Sequence, residues 1–409
     1  MVLAPFAARS TMRKLQAQGV TAERSCEKLG HATQPRPSAG PLVWLHAASV
    51  GESLSVLALI TRMGQILPTA HFLITSGTAT SAKLVAQRLP PRTVHQFAPL
   101  DAPRPVKRFL NHWQPDAAIF VESELWPQML RRTHATGARM ALVNARMSEK
   151  TVAFWAEWPQ AARYIFDVFA LILTQNDAMA QNMIRMNAPA ERVARGVNLK
   201  SMSGPLPVDA SALQEVRTTL ADRPIWVASS THEGEESAVL SAHRQLLKRF
   251  PGLCLILAPR HPERGDIVEQ LIASDGLSYR RRSRGEAPGG QVYLADTMGE
   301  LGLWYEMAEI VFLGGSLLPI GGHNPFEVAQ AGAAVLTGNH VAAFAETYAL
   351  LETEGAARII ADGDDLAARV AVLLTDPDEL AAMTSAAQRF TATQDDQLDA
   401  IATRLITAL

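Results

Sequence analysis

Residues Val43 to Ser53 read VWLHAASVGES: an apolar run, small residues, then Gly51-Glu52 and an amphipathic stretch. Val43 to Leu45 has the character of a buried strand, and Leu54, Leu57, Ala58 and Leu59 suit one face of a following helix. A strand-to-helix turn of this kind gathers free backbone N–H groups, which favour an ionised carboxylate. Glu52 therefore has two readings, an acid at a helix start or a general base at the mouth of a ligand site. The stretch alone does not separate them.

Outward from it, the pattern repeats. HFLIT (71–75), AAIFV (117–121), MALVN (140–144) and ALILT (170–174) are further strand candidates, with helical segments such as Ser81 to Leu89 and Trp126 to Thr136 between them. The alternation breaks at Gly204-Pro205-Leu206-Pro207, where a linker is expected. It restarts with PIWVASS (224–230), LCLILAP (253–259), QVYLA (291–295), EIVFLGG (309–315), AAVLTG (333–338) and ARII (357–360), and closes on a helical stretch from Pro377 to Leu409. Strands alternating with helices define an α/β fold with parallel sheets. The expected order is an N-terminal approach segment (1–40), a Rossmann-like domain (41–203) and a second Rossmann-like domain (204–409), facing each other across a cleft. Ligands in such sheets sit beyond the carboxyl ends of the strands.

The chain has 409 residues, 48% of them hydrophobic and 19% charged, which excludes a disordered or fibrous protein. Cys26 and Cys254 are far apart, so no disulfide framework or thiolate metal site is expected. A net charge of −2 conceals an asymmetry: residues 1–203 carry 23 Lys and Arg against 12 Asp and Glu, and the remainder 15 against 28. A basic first half suits an anionic partner, although a drift in charge between two halves would look the same. No apolar run reaches the ~18–20 residues of a membrane span. The opening MVLAPFAARSTMRKL is a short apolar patch followed by basic residues, compatible with peripheral membrane contact.

Several loops carry candidate chemistry. Pro259 and Arg260 leave an apolar strand, where a guanidinium suits a phosphate or a surface ion pair. Thr297 and Glu300 have capping-box spacing around Met298 and Gly299, and a helix start there also suits a phosphate. Gly314-Gly315-Ser316 and Gly321-Gly322-His323 precede Asn324-Pro325-Phe326-Glu327, which reads as N-cap, N1 proline and N3 acid. Capping leaves the glycines and His323 unexplained, and an acid there could grip a ribose diol. Glu122 and Glu124 leave a strand on alternate positions and so on one face. The hydroxyl-rich Thr75 to Ser81 could meet phosphates or sugar hydroxyls, or be only a turn. His46, His232, His261 and His323 are scattered in sequence without metal-ligand spacing.

Taken in order, HAASVGES, FAPLDAP, VESELWP, NARMSEKT, SSTHEGEE, APRHPER, DTMGEL and GGSLLPIGGHNPFE resemble the 3-deoxy-D-manno-octulosonic acid (Kdo) transferases of lipopolysaccharide biosynthesis. The resemblance runs from about Lys28-Leu29-Gly30 to the C-terminal helices. It implies a GT-B glycosyltransferase fold, with the acceptor on the first domain and the nucleotide on the second. It further implies CMP-Kdo as donor, a lipid A precursor as acceptor, inversion at the anomeric carbon, and neither a catalytic metal nor another cofactor. Matched by motif, Glu52 takes the place of the general base, and Glu122 and Lys200 those of residues that stabilise the transition state. Pro259, Arg260, Met298, Gly299, Glu300, Asn324, Pro325, Phe326 and Glu327 match loops that contact CMP. Work at the cytoplasmic face of the inner membrane, on a lipid and not on nucleic acid, follows from the same likeness.

The chain departs from that pattern in places. The membrane-anchoring apolar helix that opens many members has at most a remnant here, so either the contact is peripheral or the true start lies upstream. Val197 stands where a glycine is expected before Asn198-Leu199-Lys200. Thr337-Gly338-Asn339-His340 replaces a Gly-Pro step, and Ala343 an Asn before Phe344. Two rival readings remain at this level: a GT-B enzyme acting on another nucleotide sugar, whether transferase or epimerase, and an inactive nucleotide-binding scaffold.

Overall fold

The structure, a computed structural model, describes residues 4–199, 206–221 and 223–409, with side chains from Ala8 onward. The chain forms two compact units, Met1–Ser203 with Asp395–Leu409, and Gly204–Gln394. Each is a Rossmann-like α/β unit built on one seven-stranded parallel sheet.

The first unit is built on seven strands: β1 (Leu42–His46), β2 (His71–Ser76), β3 (Thr93–Phe97), β4 (Ala117–Val121), β5 (Arg139–Ala145), β6 (Leu171–Thr174) and β7 (Val193–Arg195). They lie in the order β3-β2-β1-β4-β5-β6-β7, every pair parallel. Leu42 and Trp44 face one core while Val43 and Leu45 face the other. A strand buried on both faces needs an unbroken apolar run, which is how VWLH reads. The strand order reverses between β1 and β4, so the loops after these two strands open a crevice.

The second unit repeats the plan with β8 (Ile225–Thr231), β9 (Cys254–Pro259), β10 (Tyr279–Arg281), β11 (Val292–Leu294), β12 (Ile310–Leu313), β13 (Ala334–Thr337) and β14 (Ala357–Ile359). Their order is β10-β11-β9-β8-β12-β13-β14, again all parallel. Its reversal lies between β8 and β12.

All eleven strand candidates are strands. The three the sequence does not announce, β3, β7 and β10, each lie at a sheet edge. Edge strands bury less, so TVHQF, VAR and YRR carry polar residues that mask their pairing.

Two boundaries differ from expectation. The approach segment 1–40 is no loose leader: it contains the helix Ala4–Ala17 and the turns Ala22–Ser25 and Cys26–Leu29. It packs into the first unit through Leu15, Glu27 and Lys28, all at least 94% buried. Glu27 is satisfied there by Arg24, by Thr33 Oγ1 at 2.5 Å and by the Phe97 N–H at 2.7 Å. At the other end, the helix Pro377–Ala408 serves both units. Ala387 and Phe390 join a core of the second unit, whereas Leu398, Ile401, Ala402 and Leu405 join a core of the first. Helical periodicity continues across that change of partner, so the pattern alone cannot mark it. Of the linker expected at 204–207, Gly204 and Pro205 lie outside the described residues, and Leu206 packs against a core of the second unit.

Candidate active site

In the first unit, β1 delivers the chain to Ser49, the N-cap of the helix Val50–Ser55. Ser49 Oγ accepts the Glu52 N–H at 3.3 Å and donates back to Glu52 Oε1 at 2.7 Å. The other carboxylate oxygen accepts the Ala48 N–H at 2.9 Å. Glu52 is thus a genuine helix-start acid, yet only half-buried. Its pKa is pushed up, first by desolvation and further by the charges of Glu124 and Glu122, against the pull of Ser49 and Ala48. A carboxylate with a raised pKa is a stronger base than one in water.

Glu122 and Glu124 follow β4, beside β1 at the point of reversal. Their expected common face does not arise, because the strand ends at Val121 and Glu122 is left-handed, with φ of 56°. The alternation of an extended strand therefore stops between them. Glu122 Oε1 accepts Asn144 Nδ2 at 3.2 Å, and Asn144, at the end of β5, is left-handed too (φ 54°). Such backbone costs about 1–3 kcal/mol per residue and persists only where surrounding contacts hold it. Asn144 Oδ1 in turn accepts the Leu199 N–H at 3.1 Å. Lys200 follows directly and lies outside the described residues. Glu124 turns instead toward His46 and the indole N–H of Trp126.

In the second unit, β8 leads to Glu235, the first residue of the helix Glu235–Arg249 and only 1% exposed. Its Oε2 accepts the N–H groups of His232 at 2.9 Å and Gly315 at 2.7 Å. Its Oε1 accepts those of Ser316 and Leu317, each at 2.9 Å. One buried carboxylate therefore clamps the glycine loop after β12. Gly315 has φ of 68°, and a Cβ there would lie 2.9 Å from the His323 ring. Neither the backbone nor the space admits a side chain.

Three of the histidines scattered in sequence meet above this clamp. His232 Nε2 and His323 Nε2 are 2.9 Å apart with nearly coplanar rings, and His261 stands edge-on to His232. Facing nitrogens at that distance share one proton, donor on one ring and acceptor on the other. Burial lowers the pKa of both, with His323 brought to about 4 by His232 and Arg260 in addition. Among the described residues, no group of three or more His, Cys, Asp or Glu is arranged to hold a metal ion.

Pro259 ends β9, and the Arg260 N–H bonds Thr231 O at 3.0 Å, leaving an exposed guanidinium beside the histidines. The capping box expected of Thr297 and Glu300 does not form. The helix Leu301–Met307 begins one residue after Glu300, whose carboxylate instead holds Arg282 (Nη2 to Oε1, 2.7 Å) and Thr297 Oγ1. A charge-assisted pair outcompetes a neutral cap. Met298 is 75% exposed and Gly299 left-handed at its side. Asn324 Oδ1 does take the Phe326 N–H, at 3.1 Å, at the start of the helix Phe326–Gln330. Pro325 and Phe326 are buried. Glu327 is half-buried, and its charge adds to the burial that pushes the Tyr305 phenol up.

The sequence reading brought Glu52 and Glu122 to one site. It missed the structural part of Glu235, which sits in the quoted SSTHEGEE without any local sign that its partners lie some 80 residues on. It also missed the meeting of His232 with His323.

Two parallel Rossmann-like sheets, each with a polar cluster at its reversal point, give the two-domain α/β fold of the GT-B class. Comparison with known proteins agrees. A family profile described as 3-deoxy-D-manno-octulosonic-acid transferase (kdotransferase) matches residues 23–203. The 3-deoxy-D-manno-octulosonic acid transferase of Haemophilus influenzae is 33% identical over 349 residues, 84% of this chain and 81% of that protein. The probable mitochondrial 3-deoxy-D-manno-octulosonic acid transferase of Arabidopsis thaliana is 34% identical over 78% of this chain and 73% of its own length. In fold, the chain is similar to a glycosyltransferase from Rickettsia africae (TM-score 0.56, 12% identity, 89% of this chain and 97% of that one). It is likewise similar to a UDP-GlcNAc 2-epimerase from Neisseria meningitidis (TM-score 0.55, 13% identity, 86% and 99%). The chain belongs to the Kdo transferase family and is a glycosyltransferase.

Proposed function

We propose that this transferase moves Kdo from CMP-Kdo to a lipid A precursor of the lipid IVA type, with inversion and with Glu52 as general base. The first unit receives the acceptor, and the second holds CMP through Pro259, Arg260, Met298 to Glu300 and Asn324 to Glu327. In one displacement the acceptor oxygen bonds to the anomeric carbon while the bond to the CMP phosphate breaks. The acceptor proton goes to Glu52, and the electron pair leaves with CMP. A sugar hydroxyl is a weak nucleophile near neutral pH, so removing its proton during attack is worth ~10²–10⁴ in rate. Charge on the departing phosphate is met by Arg260 and by the helix starts at Leu301 and Phe326. Glu122 and Lys200 stabilise the transition state, Lys200 by meeting the charge that develops on the departing phosphate, and the reaction uses no catalytic metal.

The observation that carries the reading is the setting of Glu52: a half-buried carboxylate with a raised pKa, next to two further acids at the reversal point of its sheet. A structural cap would sit as comfortably in water. An acceptor in a lipid surface also fits the exposed aromatic side chains of the first unit, Trp126, Phe154, Trp158 and Tyr164, each at least 45% exposed. Arg131 lies 4.0 Å from the Tyr164 ring. This pairing of aromatic and basic groups suits peripheral contact with an anionic membrane, here the cytoplasmic face of the inner membrane. No helix among the described residues is long and apolar enough to cross one.

The test is mass spectrometry of the product formed from CMP-Kdo and a tetraacyl lipid A precursor. One or more added Kdo units support the reading, and an unchanged acceptor defeats it. Thermal stabilisation by UDP and not by CMP would point instead to another nucleotide sugar.

A further inference from the structure

Glu124 has so far entered only as a charge near Glu52 and His46 only as its neighbour, and what holds that charge in place is built into the end of β1. His46 is 2% exposed at the end of β1, and its two nitrogens have different surroundings. Nδ1 is 2.9 Å from Thr75 Oγ1, on neighbouring β2. Thr75 Oγ1 also accepts the Trp44 indole N–H at 2.9 Å. An indole N–H can only donate, so the hydroxyl uses a lone pair there and keeps its own proton to give. That proton has two acceptors in reach, His46 Nδ1 at 2.9 Å and Leu45 O at 3.5 Å, and the shorter contact takes it.

His46 Nδ1 is then an acceptor, so the neutral ring carries its proton on Nε2. That nitrogen is buried, meets no other acceptor, and lies 3.4 Å from Glu124 Oε2, off the line of a full hydrogen bond. The indole N–H of Trp126 donates to the same oxygen. Two N–H dipoles thus converge on one carboxylate that is only 14% exposed.

We propose that Glu124, gripped by His46 and Trp126, is a fixed negative charge that strengthens Glu52 as a proton acceptor. The inference rests on Glu52 being the base. A carboxylate this buried would ordinarily protonate more readily than one in water, yet the His46 and Trp126 contacts hold the Glu124 pKa below its usual value. Geometry puts the two acids at the same strand end: Glu124 Oε2 is 3.4 Å from His46, and Glu52 Oε2 takes the Ala48 N–H two residues further on, so the Glu124 charge raises the Glu52 pKa. Other elements packed against the Glu52 helix do not oppose it: Arg62 is paired with Asp395 and Asp399, and Lys83 is exposed. Glu122 adds to the same effect from the loop after β4. His46 and Glu124 are positioning residues; only Glu52 meets the acceptor proton.

The experiment compares kcat/KM against pH for the full-length wild type, Glu124→Gln and Glu124→Asp, with the carboxyl carbon of Glu52 followed by NMR in each. Glu124→Gln keeps shape and removes charge, so the acid limb and the Glu52 titration both move to lower pH, and the plateau falls roughly tenfold because the base is weaker. Glu124→Asp keeps the charge and stays closer to the wild-type limb. An unmoved Glu52 titration in Glu124→Gln overturns the proposal even if turnover drops, because a purely structural Glu124 would lower the plateau alone. Should Glu52→Gln retain turnover, the general-base reading fails, while the NMR shift still reports on the charge of Glu124.

Discussion

Each unit places a glutamate in the first turn of the helix that follows its first strand, Glu52 after β1 and Glu235 after β8. Similar local positions lead to opposite fates. Glu235 is buried and accepts four backbone N–H groups, three of them from a distant loop. Glu52 holds one backbone N–H and one serine hydroxyl and keeps solvent access. A carboxylate saturated by main-chain donors is an anchor, since its lone pairs are taken and none is open to a substrate proton. A carboxylate with few donors and two acidic neighbours is free to take one. The partners supplied by the rest of the fold separate the two.

The comparison can be broken most directly at Glu52. Glu52→Gln should lower transfer by ~10²–10⁴-fold while leaving CMP affinity unchanged, measured by product formation and by calorimetric titration with CMP. A variant with wild-type turnover would make Glu52 an anchor like its counterpart.

Glu235→Gln tests the other side. Its amide NH₂ would face N–H donors in a buried site, so a loss of about 1–3 kcal/mol in the stability of the second unit is expected by denaturant titration. The glycine loop should lose its hydrogen-exchange protection with it.

A smaller effect concerns Glu327. Glu327→Ala should weaken CMP binding by more than the ~1 kcal/mol typical of a lost helix-start interaction. A drop in melting temperature with unchanged CMP affinity would assign Glu327 to structure.

The mildest test uses pH. Burial brings His95 in the first unit down to about 3 and His243 in the second down to about 4. His243 Nδ1 accepts from the Trp226 indole, so Nε2 carries the proton toward Gln291 O, and the ring is built to stay neutral. Both groups have folded pKa values below the unfolded one. Their contribution is complete above about pH 6.5 and is lost as pH falls toward 4 and then 3. Each adds a slope of up to about 1.4 kcal/mol per pH unit in that window. His243→Gln should flatten the acid dependence of stability, and an unchanged slope would show that the ring is free to protonate.

Much of this was legible in the chain. Buried parallel strands such as VWLH and CLILAP must be apolar on both faces, so they declare themselves, whereas TVHQF and YRR at sheet edges need not. Cap chemistry is local as well: Glu52 is the helix-start acid its place in the sequence implies, and Asn324 Oδ1 takes the Phe326 N–H, although the helix begins at Phe326 and puts Pro325, not Asn324, at the N-cap. The failures share a cause. Thr297 and Glu300 have capping-box spacing, but Arg282 takes the carboxylate. Glu122 and Glu124 have strand spacing, but a left-handed residue turns them apart.

The sequence by itself determined the alternation of strands and helices, the two sheets, the family and the residues at the strand ends, because each follows from local periodicity or ordered motifs. Only the tertiary structure decided what those residues do. It brought Gly315 to Glu235, His323 to His232, and Thr75 and Glu124 to the two sides of His46. Proton affinity depends on which donors and charges lie within a few ångströms, and in a parallel sheet those neighbours come from strands far apart in the chain.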